Sequence, residues 1–421
     1  MRNGTFVPAA AVLLAFSVTT MAEAATVSAP RPAPSVEDAA DDNDMIEVRA
    51  QIDPKLLERP WNKVPFDQQY FDFTREQIVE HWETINRGLR MPLPTVKRLK
   101  PLYEELKDTP QIQAEIEKSG FNGDFTALEK RLYDQGILFL RGDFRDARLE
   151  GDRNPPAGKI IGMLSQLIYA IYLADTQQEK HSLLQEVVSE ANSYQWLIER
   201  LQDKRELNDY IAAFELGRAY AIGRIAEEQP SRVVVARGYI DKIRKGSEEV
   251  LRRVPDHPMG LAFRAGLDAG IMRRVGKLTG RVTFGARQTT AIGYFERAIT
   301  LQPDIAITRY EYGNAILYIN KRRELEDALA QMKLAAQQRP HFAMEALDAM
   351  YAAKRAAELE DLLKSGLSFR SYERARRRFQ KETGLNMTSV LHPPFLISRA
   401  DATDSEPRGP GTKGRRDTTA R

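Results

Sequence analysis

The sequence predicts an all-α protein built from successive helical hairpins, and three observations carry that prediction. Apolar residues recur at steps of three and four through most of the chain, which is the spacing of one buried helix face. Good helix formers dominate between glycine and proline punctuation marks. No segment alternates apolar and polar residues as a half-buried strand would. The stretch SRVVVARGYI at 231–240 is β-branched, yet Ala236, Tyr239 and Ile243 continue a helical spacing across it.

The chain opens with a targeting pattern. Residues 1–24 carry Arg2, an apolar stretch from Phe6 to Val18, and Ala22-Glu23-Ala24 before a cleavage point. The apolar stretch is shorter than the roughly 20 residues that a membrane span needs. A cleaved signal peptide and a periplasmic or secreted mature chain are therefore expected, with no transmembrane segment left in it. Residues 25–45 are rich in Ala, Pro, Ser and Asp and read as a disordered linker. An N-terminal helical region is expected over 46–150. In it Thr74 and Gln77 have capping-box spacing, and Ile78, Trp82 and Ile85 form the buried face of the helix they start. The segment 141–159, RGDFRDARLEGDRNPPAGK, reads as a loop-rich separator. The main helical array is expected over 151–396, and 397–421 reads as a disordered polar tail.

Within that array a pattern is written more than once. Ala291, Phe295, Ala298 and Pro303 are separated by four, three and five residues, and Ala328, Met332, Ala335 and Pro340 repeat those steps. Ile243, Ser247, Val250 and Pro255 repeat them with weaker residues. Two small residues two turns apart lie on one helix face and let a neighbour approach closely. The large residue between them fills the gap, and Pro ends the unit. Upstream helices carry Leu216, Gly217 and Tyr220, and Tyr312, Gly313 and Ile316, at a common spacing. Together these stretches resemble degenerate tetratricopeptide repeats over about 206–365. The family repeats every 34 residues or so, whereas the closing prolines here are further apart, so insertions are expected. A helix pair is expected after Pro340, and RSYERARRRFQKETG reads as a final capping helix.

The resemblance implies a TPR-like α-solenoid whose concave face, lined by first helices, holds an extended peptide or a helix of another protein. Arg218 and Asn314, each directly after the motif glycine, take the groove-facing positions, with Phe214 and Tyr310 one turn earlier. Self-association through an exposed terminal helix is a second use that the family implies. The chain is also similar to helical accessory components of bacterial solute uptake systems, which bind a small ligand. A buried cavity lined by helices 160–173 and 210–226 would favour that alternative, and an open groove the scaffold or adaptor. Between Ala269 and Phe295 there is no acidic residue, while Arg273, Arg274, Lys277, Arg281 and Arg287 are basic, and Gly276, Gly280 and Gly285 suggest a mobile loop over 272–290. Such a loop suits an acidic partner, a phosphate or an anionic lipid surface.

Composition narrows the remaining classes. The 421 residues carry a formal net charge of only +3, which argues against wholesale nucleic-acid binding. Cys is absent, so disulfides, thiolate metal sites and a cysteine nucleophile are excluded. No pair among His81, His181, His257, His341 and His392 has metal-ligand spacing, and no serine motif resembles a nucleophile elbow. The expectation is a non-enzymatic binding protein with no catalytic residues, metal or cofactor.

Overall fold

The computed structural model describes residues 55–319 and 324–398. The leader expected at 1–24, the linker at 25–45 and the tail beyond 398 lie outside the described residues. Among the described residues every regular element is helical, and the one bridge, between Thr176 and Leu385, is isolated. The chain runs through α1 (Arg75–Glu80), α2 (Trp82–Ile85), α3 (Val96–Leu106), α4 (Pro110–Ser119), α5 (Phe125–Arg141) and α6 (Phe144–Arg153). It continues with α7 (Lys159–Tyr172), α8 (Gln177–Ser193), α9 (Gln195–Arg200), α10 (Asn208–Glu227), α11 (Ser231–Ala236) and α12 (Tyr239–Arg253). It ends with α13 (Pro258–Phe284), α14 (Gln288–Leu301), α15 (Ala306–Ile319), α16 (Leu325–Ala336), α17 (Ala343–Ser365) and α18 (Phe369–Thr383).

Local chemistry starts these helices where the sequence suggests. The Thr74 hydroxyl accepts from the Gln77 amide, and the Gln77 side chain reaches back to the Thr74 amide, so the capping box at α1 is complete. His257 caps α13 by accepting the Gly260 amide on Nδ1, and Pro258 occupies the first helical position.

Three segments depart from the sequence reading. The segment 141–159 holds a regular helix, α6, before the turn at Asn154. Phe144, Ala147, Arg148 and Gly151 recur at helical spacing, and all four are buried. The stretch after Pro340 is one helix, α17, rather than a pair, because no glycine or proline interrupts it before Gly366. The basic segment 272–290 is not a loop. It is the end of α13 and the start of α14, with a reversal at Gly276 (φ 76°) and a left-handed cap at Gly285. A Cβ added at Gly280 would come into van der Waals contact with Met272 and Ile271, so the last two turns of α13 fold back toward its main body.

The expected packing residues are the ones buried. Ala291, Phe295 and Ala298 of α14 have no exposed surface, nor do Ala328, Met332 and Ala335 of α16. The weaker set on α12, Ile243, Ser247 and Val250, is buried as well. These helices each pair with an upstream helix, α12 with α10 across the short α11, α14 with α13 and α16 with α15. Close approach is visible at Gly313, where an added Cβ would come within 3.0 Å of the Ala328 carbonyl oxygen on α16. At Gly246 of α12 it would meet the Ala219 Cβ of α10 at 2.7 Å. Phe295 also stacks on Tyr312 of α15, with ring centroids 5.2 Å apart.

Buried side chains from Leu56 to Phe395 form one continuous cluster. α7 is buried nearly all round, as its apolar sequence requires. After α18 the chain turns back as a strap over α7 and α8. The Asn386 amide group donates to the carbonyls of Ala170, Ile171 and Ala174, and Val390 N–H donates to the Tyr172 carbonyl. These carbonyls lie in the last turn of α7 and just beyond it, where the helix supplies no donor.

Phe295 tests the hairpin packing. Its truncation leaves a cavity between α14 and α15 at a fully buried position. Phe295→Ala is expected to lower unfolding free energy by about 3–5 kcal/mol. Urea titration checks this, and a loss below about 1 kcal/mol would show that the site collapses around the gap.

Candidate functional site

Three helices present one stripe each to a shared space. On α10 the stripe is Leu216, Tyr220, Gly223, Arg224 and Glu227, and on α15 it is Ile307, Tyr310, Glu311, Asn314 and Tyr318. Steps of three and four keep each set on one face. α13 contributes Met259, Phe263, Gly266, Gly270 and Arg273. Tyr351 and Arg355 of α17, Glu373 and Arg376 of α18, Met387 and Thr388 of the strap, and Val234 of α11 with Ile243 of α12 add to the wall. Together they line a half-open space of about 750 Å³. Gly266 and Gly270 face open space, since an added Cβ at either meets no atom within 4 Å.

The cavity has two chemical halves. One is apolar, built from Leu216, Val234, Ile243, Met259, Phe263 and Leu267. The other is polar and mostly cationic. Arg224 pairs with Glu311 across to α15 and with Glu227 at 2.9 Å, and its guanidinium lies 4.7 Å from the Tyr220 ring centre. Burial opposes the Arg224 charge, but the two carboxylates raise its pKa well above the ordinary arginine value. Burial raises the Glu311 carboxyl, and Arg224 pulls it back only in part.

On the α17–α18 side, Arg273 Nη2 lies 3.0 Å from Glu373 Oε2, and its guanidinium sits 4.1 Å from the Tyr318 ring centre. Arg355 pairs with Glu358 and donates to the Tyr372 hydroxyl at 3.1 Å. Arg376 Nε is 3.5 Å from Glu358 Oε2. Burial works against the Glu373 charge, but Arg273, Arg355 and Arg376 hold its carboxyl below the usual range. Two buried polar atoms of this lining, Glu373 Oε1 and Arg376 Nε, have no hydrogen-bond partner. Seven Arg and Lys line the whole cavity against four Glu.

A third cluster anchors the wall. Lys180 Nζ is 2.7 Å from Glu228 Oε1 and 3.0 Å from Thr388 Oγ1, and His181 Nε2 is 2.6 Å from Glu228 Oε2. Burial opposes the Glu228 charge, but Lys180 and His181 lower its carboxyl far below the usual range. This cluster ties α8, the end of α10 and the strap together at the cavity edge.

The residues expected to line a groove divide. Tyr310 and Asn314 line the cavity. Phe214 and Arg218 do not. Phe214 is buried against Tyr194, with centroids 5.6 Å apart, and Arg218 Nη2 is held at 2.6 Å by Glu215 on the same helix. The reason is register. The inward stripe of α10 passes through Leu216 and Tyr220, and two residues rotate a side chain by about 200° around the helix. Gly217 and Gly313 are thus not equivalent, because an added Cβ at Gly217 meets nothing within 4 Å.

The basic residues divide too. Arg273 and Arg274 line the cavity, and Arg274 donates to the carbonyls of Ala226 and Gln229. Lys277, Arg281 and Arg287 are exposed outside it. α7, one of the two helices whose lining would have favoured a ligand cavity, contributes none of the wall, whereas α10 contributes a full stripe. Arg224, Glu311, Tyr318, Arg355, Glu373 and Arg376 were missed. Extending the predicted stripe from Tyr310 and Asn314 by one turn would have reached Tyr318, and the neighbour of Tyr310 is Glu311. Nothing local marks the rest. Among the described residues no group of three or more His, Asp or Glu could hold a metal ion, and no helix is long and apolar enough to cross a membrane.

Beside the cavity, Tyr172 donates to Asp348 Oδ1 at 2.6 Å, one turn from Tyr351. Burial pushes the Asp348 carboxyl up to about 7, and nearby Glu345 and Glu311 add to the rise. A raised folded-state pKa means stability that is present below the unfolded value, about 3.9, and lost as pH rises through 7. The wild-type protein is therefore expected to lose stability relative to Asp348→Asn between pH 4 and 7, by about 4 kcal/mol at most. Thermal melts of both across pH 4–8 check this, and a constant difference would refute the assignment.

Protein-family models give no match to this chain, and neither curated proteins nor solved structures yield a similar one.

Proposed function

We propose that this chain is an exported helical-repeat protein that binds a small anionic organic ligand in its central cavity. The observation that carries the reading is the space of about 750 Å³ between α10, α13, α15, α17 and α18. Ligand sites are commonly about 300–1,000 Å³ and combine apolar walls with a few placed polar groups. The apolar half suits a hydrocarbon or aromatic body, and the surplus of Arg and Lys over Glu in the lining favours an anion.

Repeat ancestry is part of the proposal. The three hairpins α10–α12, α13–α14 and α15–α16 turn their first helices toward the cavity, as a TPR-like array does with its concave face. Export rests on the leader pattern at 1–24. The peptide-binding scaffold is the weaker reading here. Two of its four groove residues, Phe214 and Arg218, are engaged in packing and an ion pair away from the cavity. The role is binding rather than turnover, and it calls for no cofactor.

Filling the cavity tests the proposal. Gly266→Phe places a ring in open space on a helix that no neighbour crowds at that point, so the fold should survive. In a thermal-shift screen of carboxylates and phosphates, a ligand at one hundred times its Kd would stabilise the wild type by about 2.7 kcal/mol. The same ligand should leave Gly266→Phe unmoved. A panel without effect on the wild type, alongside stabilisation by extended peptides, would restore the scaffold reading.

A further inference from the structure

The end of α13 does something the cavity does not explain. After the reversal at Gly276 the chain makes two more turns, 277–284, before the cap at Gly285. Gly280 faces the main body of α13, so residues two positions away on either side point outward. Those residues are Leu278 and Val282, exposed at 77% and 61%. They are one turn apart and form an aliphatic pair on a protruding tip.

Their surroundings are cationic. Lys277 and Arg281 share the tip, Arg287 follows the cap, and Arg244 of α12 donates to the Phe284 carbonyl at the tip's end. No acidic residue occurs between Asp268 and Glu296. An acid that faces this group is Glu324, close enough to feel the charge of Lys277. Lys277 also donates to the neutral Gln288 side chain at 2.9 Å.

We infer that this tip docks on an anionic lipid bilayer, with Leu278 and Val282 entering the interface and Lys277, Arg281 and Arg287 at headgroup level. Shape separates a bilayer from a protein partner. A stable protein interface covers about 800 Å² per partner, while eight helical residues are only about 12 Å long. A bilayer accepts a protruding apolar pair without a matching pocket, and its negative surface potential complements the basic rim.

The chain has no Cys, so Thr279→Cys gives a single attachment point for an environment-sensitive dye on the exposed tip. Ala114→Cys, on the exposed side of α4, is the control. Labelled full-length protein is mixed with vesicles of phosphatidylcholine alone or with 30% phosphatidylglycerol, about 100 lipids per protein at the start of the titration. Emission at position 279 should rise and shift to the blue on the anionic vesicles only, and 0.5 M salt should weaken the effect. Position 114 should not respond, so binding through any other segment is read separately.

Each basic residue near such a surface contributes about 1 kcal/mol, roughly fivefold in affinity. Replacing Lys277, Arg281 and Arg287 by Gln should therefore raise the lipid midpoint on the order of a hundredfold. Leu278→Ser with Val282→Ser should abolish the shift while circular dichroism stays unchanged. The inference is overturned by no response at 279, by equal responses to neutral and anionic vesicles, or by equal responses at 279 and 114. A rise with protein concentration in the absence of lipid would overturn it too, by assigning the tip to a second copy of the chain.

Discussion

Close approach of paired helices at small side chains is the constraint on which the rest depends. Ala291 and Ala298, Ala328 and Ala335, Gly313, and Gly246 opposite Ala219 remove side-chain volume where hairpin partners cross. Interiors are packed to near-crystalline density, so a single added methyl at such a crossing must displace backbone or a neighbouring side chain. Phe295 and Met332 occupy the space between the small residues and set the separation. Because the second helices are pinned in this way, the first helices are free to turn a different stripe toward the centre. The cavity is the volume those stripes do not fill.

An open interior lined by arginines would be unstable if the charges were left alone. The structure instead carries paired clusters: Arg224 with Glu311 and Glu227, Arg273 with Glu373, Arg355 with Glu358, and Lys180 with Glu228. Such pairs rarely add much net stability once desolvation is counted. The pairs that cross between elements, Arg224 with Glu311, Arg273 with Glu373 and Lys180 with Glu228, help fix which helices face one another, since a mispaired register would leave a charge without its partner. The strap uses neutral chemistry for the same purpose. Asn386 donates to the carbonyls of Ala170, Ile171 and Ala174 at and just beyond the end of α7, where the helix itself supplies no donor, and Thr388 adds a second donor at Ile171.

The contrast between α10 and α15 shows where motif reading reaches its limit. The two helices carry similar Gly-centred spacings, and in α15 Tyr310, Glu311 and Asn314 around Gly313 line the cavity. In α10 the helix is rotated, because it meets α12 through Ala219 and Glu215 rather than through Gly217. A rotation of two residues costs nothing in local propensity and leaves the apolar period intact. It is decided by which neighbour the helix packs against. The same holds for the basic segment: its glycines suggest a loop, but a reversal at Gly276, with Gly280 facing Met272, lets the chain stay helical on both sides.

By itself the sequence determined what depends on neighbours along the chain. The helical class, the capping box at Thr74, the small-large-small faces of α14 and α16 and the absence of cysteine chemistry all follow from residues within a few turns of each other. The tertiary structure alone decided the cavity and its charge. Arg224 meets Glu311 across 87 residues, and Arg273 meets Glu373 across 100. A surface arginine and a cavity arginine have the same local pattern, because helix propensity and apolar period do not depend on what lies across the gap. Only the packing of distant helices fixes which charges face each other and what volume is left between them.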